Sequence, residues 1–572
     1  MFDPVSLWDV AVVFGVVLAI APYLGSYLGR VYLNRPAFGD TLLAPVERAI
    51  YRLLGTGPRQ SMRAGEYFVA LLLVNGFMAA WLFVWFSVQP SLPLNPNGTG
   101  AMSWDLAFHS SASFATNTDF VHFVSESALS EGTLLLAIQV AMFVSAATGL
   151  SVVAALVRGF VRKDGTVGNF YVDVVRSLTR VLLPIGLLGS VGFVLLGLPE
   201  TFQSQVVVHT LTGGTQTIVL GPVASFQSIS LFGSNGGGWY AANAASPLAN
   251  PSQASNLFGL GLMLLLPTAA PFAFAQIVRR PGEGLPFLAT SLSVLVVGIT
   301  LFLAFQSIAN PDLGGIAGLT PGPNGYAVGQ ETRFSAAGGA AFQVVSVYAN
   351  VGANDMALGS LSPIAQMSLL FGMFTQSTPG GVGTGFATLL VFAILAVFVG
   401  GLMVGRTPEY LGKKIGQDQV KWAALILLIH PFLIMVPLAI AFLGGFDPLP
   451  VTTGAVPPGT IPVQAHAFTV ALYEFTSEAA NNGSAMAPIN DATPFFNLAG
   501  GVVMLAGRFL PIFAMLRIAG LFARQDVLPP GPGTLKTRSL TFTVYLVLFV
   551  VILTGLLFLP VLALGPLSQW GF

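Results

Sequence analysis

Glycine, asparagine, serine and threonine gather in four short segments, each lying between long apolar stretches of the chain. The segments read SWDLAFHSSASFATNTDF, GPVASFQSISLFGSNGGGWY, RFSAAGGAAFQVVSVYANVGANDM and HAFTVALYEFTSEAANNGSAM. Each joins a stretch that can form a short helix to a stretch whose glycine-rich backbone can bend freely. Backbone carbonyl oxygens that face a common axis can replace the hydration shell of a weakly hydrated monovalent cation. The chemistry predicted by these residue types is therefore cation coordination by the main chain.

The spacing of the four segments decides between this interpretation and a simpler one. A single glycine-rich connection is commonly a flexible linker and nothing more. These four recur roughly every 115 to 130 residues, as units of similar size would. Four corresponding positions, each preceded by a helix-forming stretch, favour the coordination hypothesis over four unrelated linkers.

The composition indicates an integral membrane protein. Of the 572 residues, 54% are hydrophobic and 8% are charged, whereas a soluble domain has about 25% charged residues. The formal net charge is zero, and no long basic stretch indicates nucleic acid as a partner. Cysteine is absent, which excludes disulfides and thiolate metal sites, and the five histidines show no ligand spacing. We therefore expect no metal site other than one for the coordinated cation.

Ten apolar stretches are long enough to cross a bilayer, which takes about 20 residues. They lie near residues 7–30, 66–89, 133–157, 177–198, 256–278, 285–308, 364–404 (interrupted), 421–445, 497–520 and 540–563. Lysine and arginine concentrate in the odd-numbered connections, and the even-numbered ones contain Arg333 as their one basic residue. Because basic connections face the cytoplasm, we expect both termini on the external side.

The four polar segments all fall in even-numbered connections, so they lie on one side of the membrane. Inverted repeats would put corresponding segments on opposite sides, so we predict parallel repeats. The predicted fold is an all-α polytopic membrane protein of ten transmembrane helices, with four helix–pore loop–helix repeats around a pseudo-fourfold, potassium-channel-like pore. The predicted organisation is one transmembrane domain, 1–572, with repeats 65–160, 175–280, 283–405 and 420–522, and with extra helices in 1–32 and 538–572.

At this point the sequence resembles a known family, the potassium-binding subunit of the bacterial potassium-transporting Kdp ATPase (KdpA). GPVASFQSISLFGSNGGGWYAANAASPLANP is similar to the second filter region of that family, and GLMVGRTPEYLGKKI to its long cytoplasmic motif. SWDLAFHSSASFATNT, AANNGSAMA and FLPVLALGP resemble its first filter, its fourth filter and its C-terminal end. The resemblance runs nearly end to end and implies ten spanning helices, four pore-type repeats and potassium as the bound ion.

The resemblance also implies which positions form the potassium filter. Carried over by motif, they are Thr116, Asn117, Thr118, Ser234, Asn235, Gly236, Gly237, Asn350, Val351, Gly352, Asn481, Asn482 and Gly483. The chain departs from the family pattern at Asp119 and Val121, which replace amide-type residues. It also departs at Asn350–Val351, which replaces a small polar pair, and at Gln376, which replaces a glutamate.

Two further features indicate a barrier below the filter. The seventh apolar stretch is interrupted by TQSTPGGVGTG, where a proline and several glycines disfavour helix; the alternatives are a simple kink and an intramembrane loop. We favour the loop and expect Gln376, Gly380 and Gly381 to obstruct straight passage. Arg508 lies roughly halfway along the ninth span, and a charge at that depth indicates function; the alternative is snorkelling to the interface.

Acidic residues near the four segments allow two interpretations. Together they could raise the local cation concentration at the mouth of the pore. Alternatively, each could be a helix cap or a solvated charge. For each residue taken individually, we favour the second interpretation. The residues concerned are Asp105, Asp119, Asp355, Glu474 and Glu478.

Catalysis by this chain alone is not expected. It lacks a phosphate-binding loop of the Gly-x-x-x-x-Gly-Lys-Ser/Thr type and an Asp-Lys-Thr-Gly phosphorylation motif. The resemblance implies a non-catalytic subunit of a P-type ATPase in the bacterial plasma membrane. ATP and Mg²⁺ would act only through the catalytic subunit KdpB, the small single-span subunits KdpC and KdpF would complete the complex, and membrane lipid would surround it. A Trk/Ktr-type channel-like transporter without its own ATPase subunit remains the alternative.

Overall fold

Ten helices of the computed structural model are long and apolar enough to span a membrane, which confirms the predicted number. The model describes residues 4–313, 320, 329–449, 463–487, 489–529 and 534–570. Within them, the spans are Ser6–Tyr32, Ala64–Ser91, Thr133–Val161, Phe170–Leu195, Gln253–Ile277, Leu285–Gln306, Thr384–Met403, Gln417–Leu443, Pro494–Phe522 and Leu540–Trp570.

The individual helices are numbered in chain order. They are α1 Pro4–Tyr32, α2 Asp40–Leu53, α3 Ala64–Val88, α4 Trp104–Ala115, α5 Ser125–Ala128, α6 Gln139–Val161, α7 Phe170–Arg176, α8 Leu183–Leu195, α9 Val223–Phe232, α10 Gln253–Ile277, α11 Leu285–Gln306, α12 Ala336–Tyr348, α13 Pro363–Thr375, α14 Thr384–Met403, α15 Gln417–Leu443, α16 Val463–Ala479, α17 Pro494–Phe522, α18 Leu540–Leu562 and α19 Ser568–Trp570. Wider π-helical turns continue three spans, at Thr133–Ile138, Ser177–Leu182 and Ala563–Leu567. Single 3-10 turns occur at Gln89–Ser91, Asn243–Ala245, Pro311–Leu313 and Leu358–Ser360.

The described strands form three small antiparallel pairs in connections between helices. They are β1 Met62–Arg63 with β2 Thr166–Gly168, β3 Gln205–His209 with β4 Thr215–Val219, and β5 Glu409–Tyr410 with β6 Lys413–Lys414. The fold is otherwise helical.

The fourth span begins at Phe170, earlier than the position near 177 that hydropathy alone indicates. The side chain of Asn169 accepts a hydrogen bond from the Val172 N–H and caps the helix start. Asp173 lowers the hydropathy of this first part of the helix. Its charge is neutralised, because it accepts two hydrogen bonds from Arg158, at 2.6 and 2.8 Å. These two charged residues, which in the sequence indicated a loop before the fourth span, therefore form a buried ion pair between α6 and α7.

The first helix, α1, packs along α10, and two glycines of α1 allow the close contact. Gly25 and Gly29 lie four residues apart on one face of α1, and a Cβ at either would collide with Phe272 or Gln276 of α10. Small residues at this spacing let two helix backbones approach closely, which is the main source of attraction between helices in lipid. α18 packs in turn on α11, α13 and α14.

Each of the four polar segments forms a short helix followed by a non-helical turn, set between two long helices. The short helices are α4, α9, α12 and α16, and we call them the pore helices. In the part of the chain that the structure describes, the interrupted seventh stretch consists of α13, which ends at Thr375, and α14, which begins at Thr384. The glycine-rich residues between them are an ordered loop in contact with the pore helices.

Candidate ion-binding filter and the cavity beneath it

The four turns that follow the pore helices share one backbone pattern. The second residue after each helix end has a left-handed conformation, and so does the residue two positions later. The first set is Asn117 (φ 64), Ser234 (φ 52), Asn350 (φ 47) and Asn481 (φ 52), and the second is Asp119 (φ 53), Gly236 (φ 80), Gly352 (φ 84) and Gly483 (φ 103). Glycine, and less often asparagine or aspartate, adopts this conformation readily, so seven of the eight residues suit their turns and Ser234 is the exception.

A serine in the last part of each pore helix holds the turn that follows. The serine carbonyl accepts the backbone N–H of the central turn residue, in the pairs Ser113–Thr118, Ser230–Asn235, Ser346–Val351 and Ser477–Asn482. In the first three repeats the serine hydroxyl also donates to a carbonyl further along, that of Phe120, Gly237 or Ala353, at 2.6 to 2.8 Å. Because the N–H groups bond back to the helix, the central carbonyls are free to point elsewhere.

The turns of successive repeats touch one another and form a ring. A Cβ at Gly236 would collide with the carbonyl oxygen of Val351, and one at Gly352 with that of Asn482. A Cβ at Gly483 would collide with the carbonyl oxygen of Thr118, and would lie 3.6 Å from that of Asn235 in the second repeat. The second repeat thus contacts the third, the third the fourth, and the fourth the first.

Four carbonyl groups at equivalent positions, one from each repeat, therefore lie at the contacts between neighbouring turns. They belong to Thr118, Asn235, Val351 and Asn482. None of the four accepts a hydrogen bond from another residue in the described parts of the chain. Buried carbonyl groups nearly always have a partner, and four that share a small space can together coordinate a cation.

The asparagine side chains of the filter link neighbouring repeats. Asn117 donates to the carbonyls of Gly233 and Ser234, which joins the first repeat to the second. Asn482 donates to the Val347 carbonyl at 2.8 Å, joining the fourth repeat to the third.

Asn481 donates to the Thr118 hydroxyl at 2.9 Å and joins the fourth repeat to the first. Together with the previous links, this bond shows that the asparagines position the ring while the main chain supplies the carbonyl oxygens.

The structure brings most of the sequence-predicted filter residues together and adds one. Thr116 lies at the end of α4, where its hydroxyl bonds to the Ala112 and Ser113 carbonyls and to Thr118. Asp119 occupies the position that glycine holds in the other three turns, and its buried side chain packs against Gly237. A comparison of the spacing of the four turns, in place of a search for glycine, could have identified Asp119.

A polar cavity of about 40 Å³ lies at the filter. Its polar lining comes from the left-handed residues of three turns, from the loop after α13, from the start of α14 and from α17: Asn117, Asn350, Asn481, Gln376, Thr384, Thr388 and Arg508. A cavity of this size, with several polar partners, has room for a few water molecules or a small ion.

Arg508 projects into this cavity from the middle of α17 and does not reach an interface. Its guanidinium donates to the Ser145 carbonyl at 3.0 Å and to the Thr384 hydroxyl at 3.4 Å. Ser145 in turn donates to the Asn117 side chain at 2.9 Å. The snorkelling alternative is therefore wrong, because the side chain is buried among filter-bearing helices.

The loop between α13 and α14 packs against the third pore helix. The Gly380 N–H donates to the carbonyl of Tyr348, the last residue of α12, at 2.9 Å. Gln376 has a left-handed conformation and donates to His430 at 2.9 Å. Gly381 lies on the cavity wall beside Asn350.

Asp105 lies in the first turn of α4, as the helix-cap interpretation expects, whereas three other acidic residues do not lie where either interpretation put them. Asp355 is buried beside α12, and burial raises the pKa of its carboxyl group. Glu474 and Glu478 are buried on α16, in contact with His122 and His109. Glu474 and Glu478 are therefore neither solvated charges nor helix caps. Sequence spacing could not predict this, because the histidines that they contact lie more than 300 residues earlier in the chain.

The comparisons with known proteins agree with this architecture. The family model described as KdpA, the potassium-transporting ATPase A subunit, matches residues 11–570. The chain belongs to this family. Its relatives include proteins named potassium-transporting ATPase potassium-binding subunit. The one from Nostoc sp. is 39% identical over 99% of this chain and 98% of its own length. The one from Alicyclobacillus acidocaldarius is 40% identical over 99% of both.

The fold of this KdpA-family chain is also similar to that of a solved transporter structure. The crystal structure of the potassium transporter TrkH from Vibrio parahaemolyticus matches with a TM-score of 0.53, covering 87% of this chain and 97% of that one. The identity is 15%, so the similarity concerns the fold alone. The chain is thus a multi-pass membrane protein with a channel-like potassium-transporter fold.

Proposed function

We propose that this chain is the potassium-binding subunit of an ATP-driven, high-affinity potassium uptake complex. The observation that carries the proposal is the ring of four unbonded carbonyls, from Thr118, Asn235, Val351 and Asn482. Carbonyl oxygens suit a weakly hydrated monovalent cation, whose hydration shell they can replace. The names of the relatives, which specify potassium, support the same ion.

The proposed filter consists of the positions predicted from the sequence, with Asp119 added. Thr118, Asn235, Val351 and Asn482 supply the ring of oxygens, and the glycines at the next position leave room for them. Asn117, Ser234, Asn350 and Asn481 form the inner edge. Thr116 and Gly237 stand at the two ends of the filter segments as supporting residues.

Arg508 and the loop around Gln376, Gly380 and Gly381 act in this proposal as the barrier below the filter. A fixed positive charge opposes a cation that moves straight inward, and the loop narrows the same path. Potassium would then leave the cavity sideways, towards a catalytic partner. The burial of the Arg508 guanidinium beside Asn117 and Thr384 supports this role.

The partners are proposed from family membership and from what the chain lacks. A catalytic P-type subunit, KdpB, would bind ATP and Mg²⁺ and form the phosphorylated intermediate. KdpC and KdpF would be the small single-span subunits. The complex would lie in the bacterial inner membrane, with both termini of this chain on the periplasmic side, because the basic connections favour the cytoplasm.

A Trk/Ktr-type transporter without an ATPase subunit is the second candidate, and the TrkH-like fold is the observation in its favour. Co-purification separates the two: we expect a P-type ATPase subunit to accompany the chain, whereas the second candidate predicts a soluble nucleotide-binding ring. Potassium-stimulated ATPase activity of the co-expressed complex, with rubidium, sodium and ammonium as competing ions, then tests potassium as the substrate. Stimulation by sodium as strong as by potassium would refute the assignment.

A further inference from the structure

Two histidines and three carboxylates meet behind the filter, between the first and fourth repeats. We call them the His–carboxylate cluster: His109 on α4, His122 after the first filter, Glu474 and Glu478 on α16, and Asp491 before α17. The four side chains of His109, His122, Glu474 and Glu478 have at most 1% of their surface exposed. The cluster is thus built from three separate parts of the chain and closed off from solvent on most sides.

The ligating atoms of the cluster converge on the Nε2 atom of His122. This atom lies 2.8 Å from Glu474 Oε1, 3.9 Å from Glu478 Oε1 and 3.9 Å from Asp491 Oδ2. His109 Nε2 lies 3.2 Å from the same Glu478 oxygen. The two imidazole rings stack with their centres 3.7 Å apart, which brings both Nε2 atoms to one side.

Hydrogen bonds around His122 determine which of its nitrogens carries the proton. Asn497 donates from its amide nitrogen to Asp105 at 2.8 Å, so the amide oxygen of Asn497 must face His122. That oxygen accepts a hydrogen bond from His122 Nδ1 at 2.8 Å. In the neutral ring the proton is therefore on Nδ1, and the Nε2 lone pair points at three carboxylates. A histidine that binds a metal is oriented by this kind of outer hydrogen bond.

Among the described residues, the basic side chains that pair with the carboxylates of the cluster are the two histidines, with two imidazoles for three carboxylates. No lysine or arginine forms an ion pair with Glu474, Glu478 or Asp491 in the described parts of the chain. Glu474 Oε2 and Glu478 Oε2 are buried without a hydrogen-bond partner. Buried carboxylates carry a large free-energy cost unless a cation or a hydrogen bond compensates it.

We propose that the His–carboxylate cluster binds a divalent transition-metal ion of the Zn²⁺ class. Zinc bonds to imidazole nitrogen and carboxylate oxygen at about 2.0–2.2 Å, so neighbouring ligands of a tetrahedral site lie about 3.3–3.5 Å apart. The four distances of 2.8 to 3.9 Å bracket this value. The mixed nitrogen and oxygen donors favour zinc over calcium or magnesium, which prefer oxygen alone.

The metal ion would fasten the first repeat to the fourth next to the filter. Glu478 lies near the end of α16, three residues before Asn481, and Asn481 bonds to Thr118, four residues before His122. A metal ion bound to both sides would hold this junction in one arrangement. The site does not depend on potassium binding, so it stands or falls separately from the proposed function. It departs from the sequence-based expectation of no further metal site, because 352 residues separate His122 from Glu474.

The first test measures metal bound by the full-length protein, purified through a tag that contains no histidine. After removal of metal with a chelator and dialysis against zinc, elemental analysis should find about one Zn²⁺ per chain. Cobalt in place of zinc should give the intense visible absorption bands of a tetrahedral or distorted tetrahedral site. Zinc should also raise the apparent melting temperature, because an ion that binds only the folded state stabilises it.

Variants then assign the metal ion to the cluster. His122→Asn and Glu478→Gln keep approximate size and polarity, and each should lower zinc affinity at least about 100-fold and abolish the cobalt bands. Asn497→Ala should lower zinc affinity about 10- to 100-fold, because it removes an outer hydrogen bond and no ligand. His209→Asn is the matched control, since His209 is exposed in the hairpin of β3 and β4 and its loss should change neither measurement.

Two results would overturn the proposal. The parent protein could bind neither zinc nor cobalt at micromolar concentrations, in which case the carboxylates share protons with the histidines instead. Alternatively, His122→Asn and Glu478→Gln could each retain the zinc content and cobalt spectrum of the parent. The measurements on the parent decide the question even if a variant does not fold.

Discussion

At the scale of single residues, asparagine performs two tasks in the filter. Its tolerance of the left-handed conformation lets Asn117, Asn350 and Asn481 begin the turns. Its side-chain amide then donates to a carbonyl or hydroxyl of the neighbouring repeat, as Asn117 and Asn481 do. An aspartate would also tolerate the turn but, when ionised, could not donate. Asparagine therefore fixes the shape of the ring without adding charge to it.

Asp119 is the exception to the glycine pattern, and its carboxyl group leads to a prediction. Asp119→Asn keeps the turn, because asparagine tolerates a positive φ, and removes a buried carboxyl group beside the filter. We expect apparent potassium affinity to fall about tenfold, which corresponds to about 1.4 kcal/mol. The measurement is the potassium concentration for half-maximal ATPase activity of the complex.

Asp447→Asn serves as the control for Asp119→Asn, since Asp447 is exposed. Its potassium dependence should equal that of the parent. An unchanged potassium affinity in Asp119→Asn would show that this carboxyl group does not act on the bound ion.

The conformation of each proposed filter turn follows from nearby residues, because each turn is held by local contacts. The residues that form a turn and those that bond to it are close neighbours in the sequence. A short motif such as FGSNGG therefore indicates the backbone conformation of its turn. The histidine and glutamate contacts could not be predicted in the same way, because they join α4 to α16 across most of the chain. Nor could the ion pair of Arg158 with Asp173, which made a helical turn look like a loop.

At the scale of elements, α17 carries a buried charge, Arg508, at its centre. Fourteen residues precede Arg508 in this helix and fourteen follow it, counted from the bounds Pro494–Phe522. Its side chain reaches Ser145 of α6 and Thr384 of α14. The guanidinium of Arg508 thus connects α17 to α6 and α14 at the cavity. A side chain that extended to the membrane surface could not make these contacts.

Arg508→Met keeps much of the side-chain bulk and removes the positive charge. At 4 Å and an effective dielectric constant of 20, repulsion between that charge and a potassium ion is about 4 kcal/mol, or roughly a thousandfold in rate. The loop around Gly380 remains as a steric obstacle, so we expect a smaller but measurable rise in passive rubidium flux. The assay uses proteoliposomes that contain the complex without ATP.

Arg517→Met, an exposed position of the same helix, is the control and should leave the passive flux at the level of the parent. If Arg508→Met inserts and assembles normally and its flux also equals that of the parent, Arg508 has a structural role only.

The β5–β6 hairpin explains part of the GRTPEYLGKK motif through Lys413. This buried side chain donates to the carbonyls of Gly159, Arg162 and Phe522, at the ends of α6 and α17. A positive charge at two helix C-termini is favourable. Lys413→Met would leave three carbonyls without their donor, at a cost of about 2–4 kcal/mol.

We expect Lys413→Met to lower the melting temperature of the purified protein by about 2–3 °C. Lys414→Met is the matched control, because the neighbouring lysine is exposed and its removal should leave the melting temperature within error. Equal melting temperatures for the two variants would contradict this role of Lys413.

At the scale of the whole molecule, the four repeats supply equivalent parts to one ring. The ten spans and the helical class were predictable from hydropathy, since a bilayer imposes a nearly fixed length on apolar helices. The contacts that close the ring were not predictable, because they depend on how each repeat meets the next. The glycines of three turns reveal them, since a side chain at any of these would collide with the neighbouring carbonyl.

The chain should not hydrolyse ATP by itself. Its sequence contains no phosphate-binding loop or phosphorylation motif. We assign the polar cavity at the filter, beside Arg508, to ion passage. Phosphate release from a preparation free of other subunits should stay at background with or without potassium. Potassium-dependent hydrolysis that co-elutes with the isolated chain would place a nucleotide site within it and contradict the division of labour proposed above.

The central claim is that backbone carbonyls of the four turns bind potassium, and Gly236→Ser tests it most directly. Gly236 has a positive φ and no room for a Cβ beside the Val351 carbonyl, whereas Gly213 in the hairpin of β3 and β4 has a similar φ and nothing within 4 Å. The measurement is the potassium dependence of ATPase activity in complexes that carry Gly236→Ser or Gly213→Ser. The account predicts at least about a tenfold loss of apparent potassium affinity and weaker discrimination against sodium for Gly236→Ser, with Gly213→Ser like the parent. An assembled Gly236→Ser complex with unchanged potassium affinity and selectivity would contradict the account.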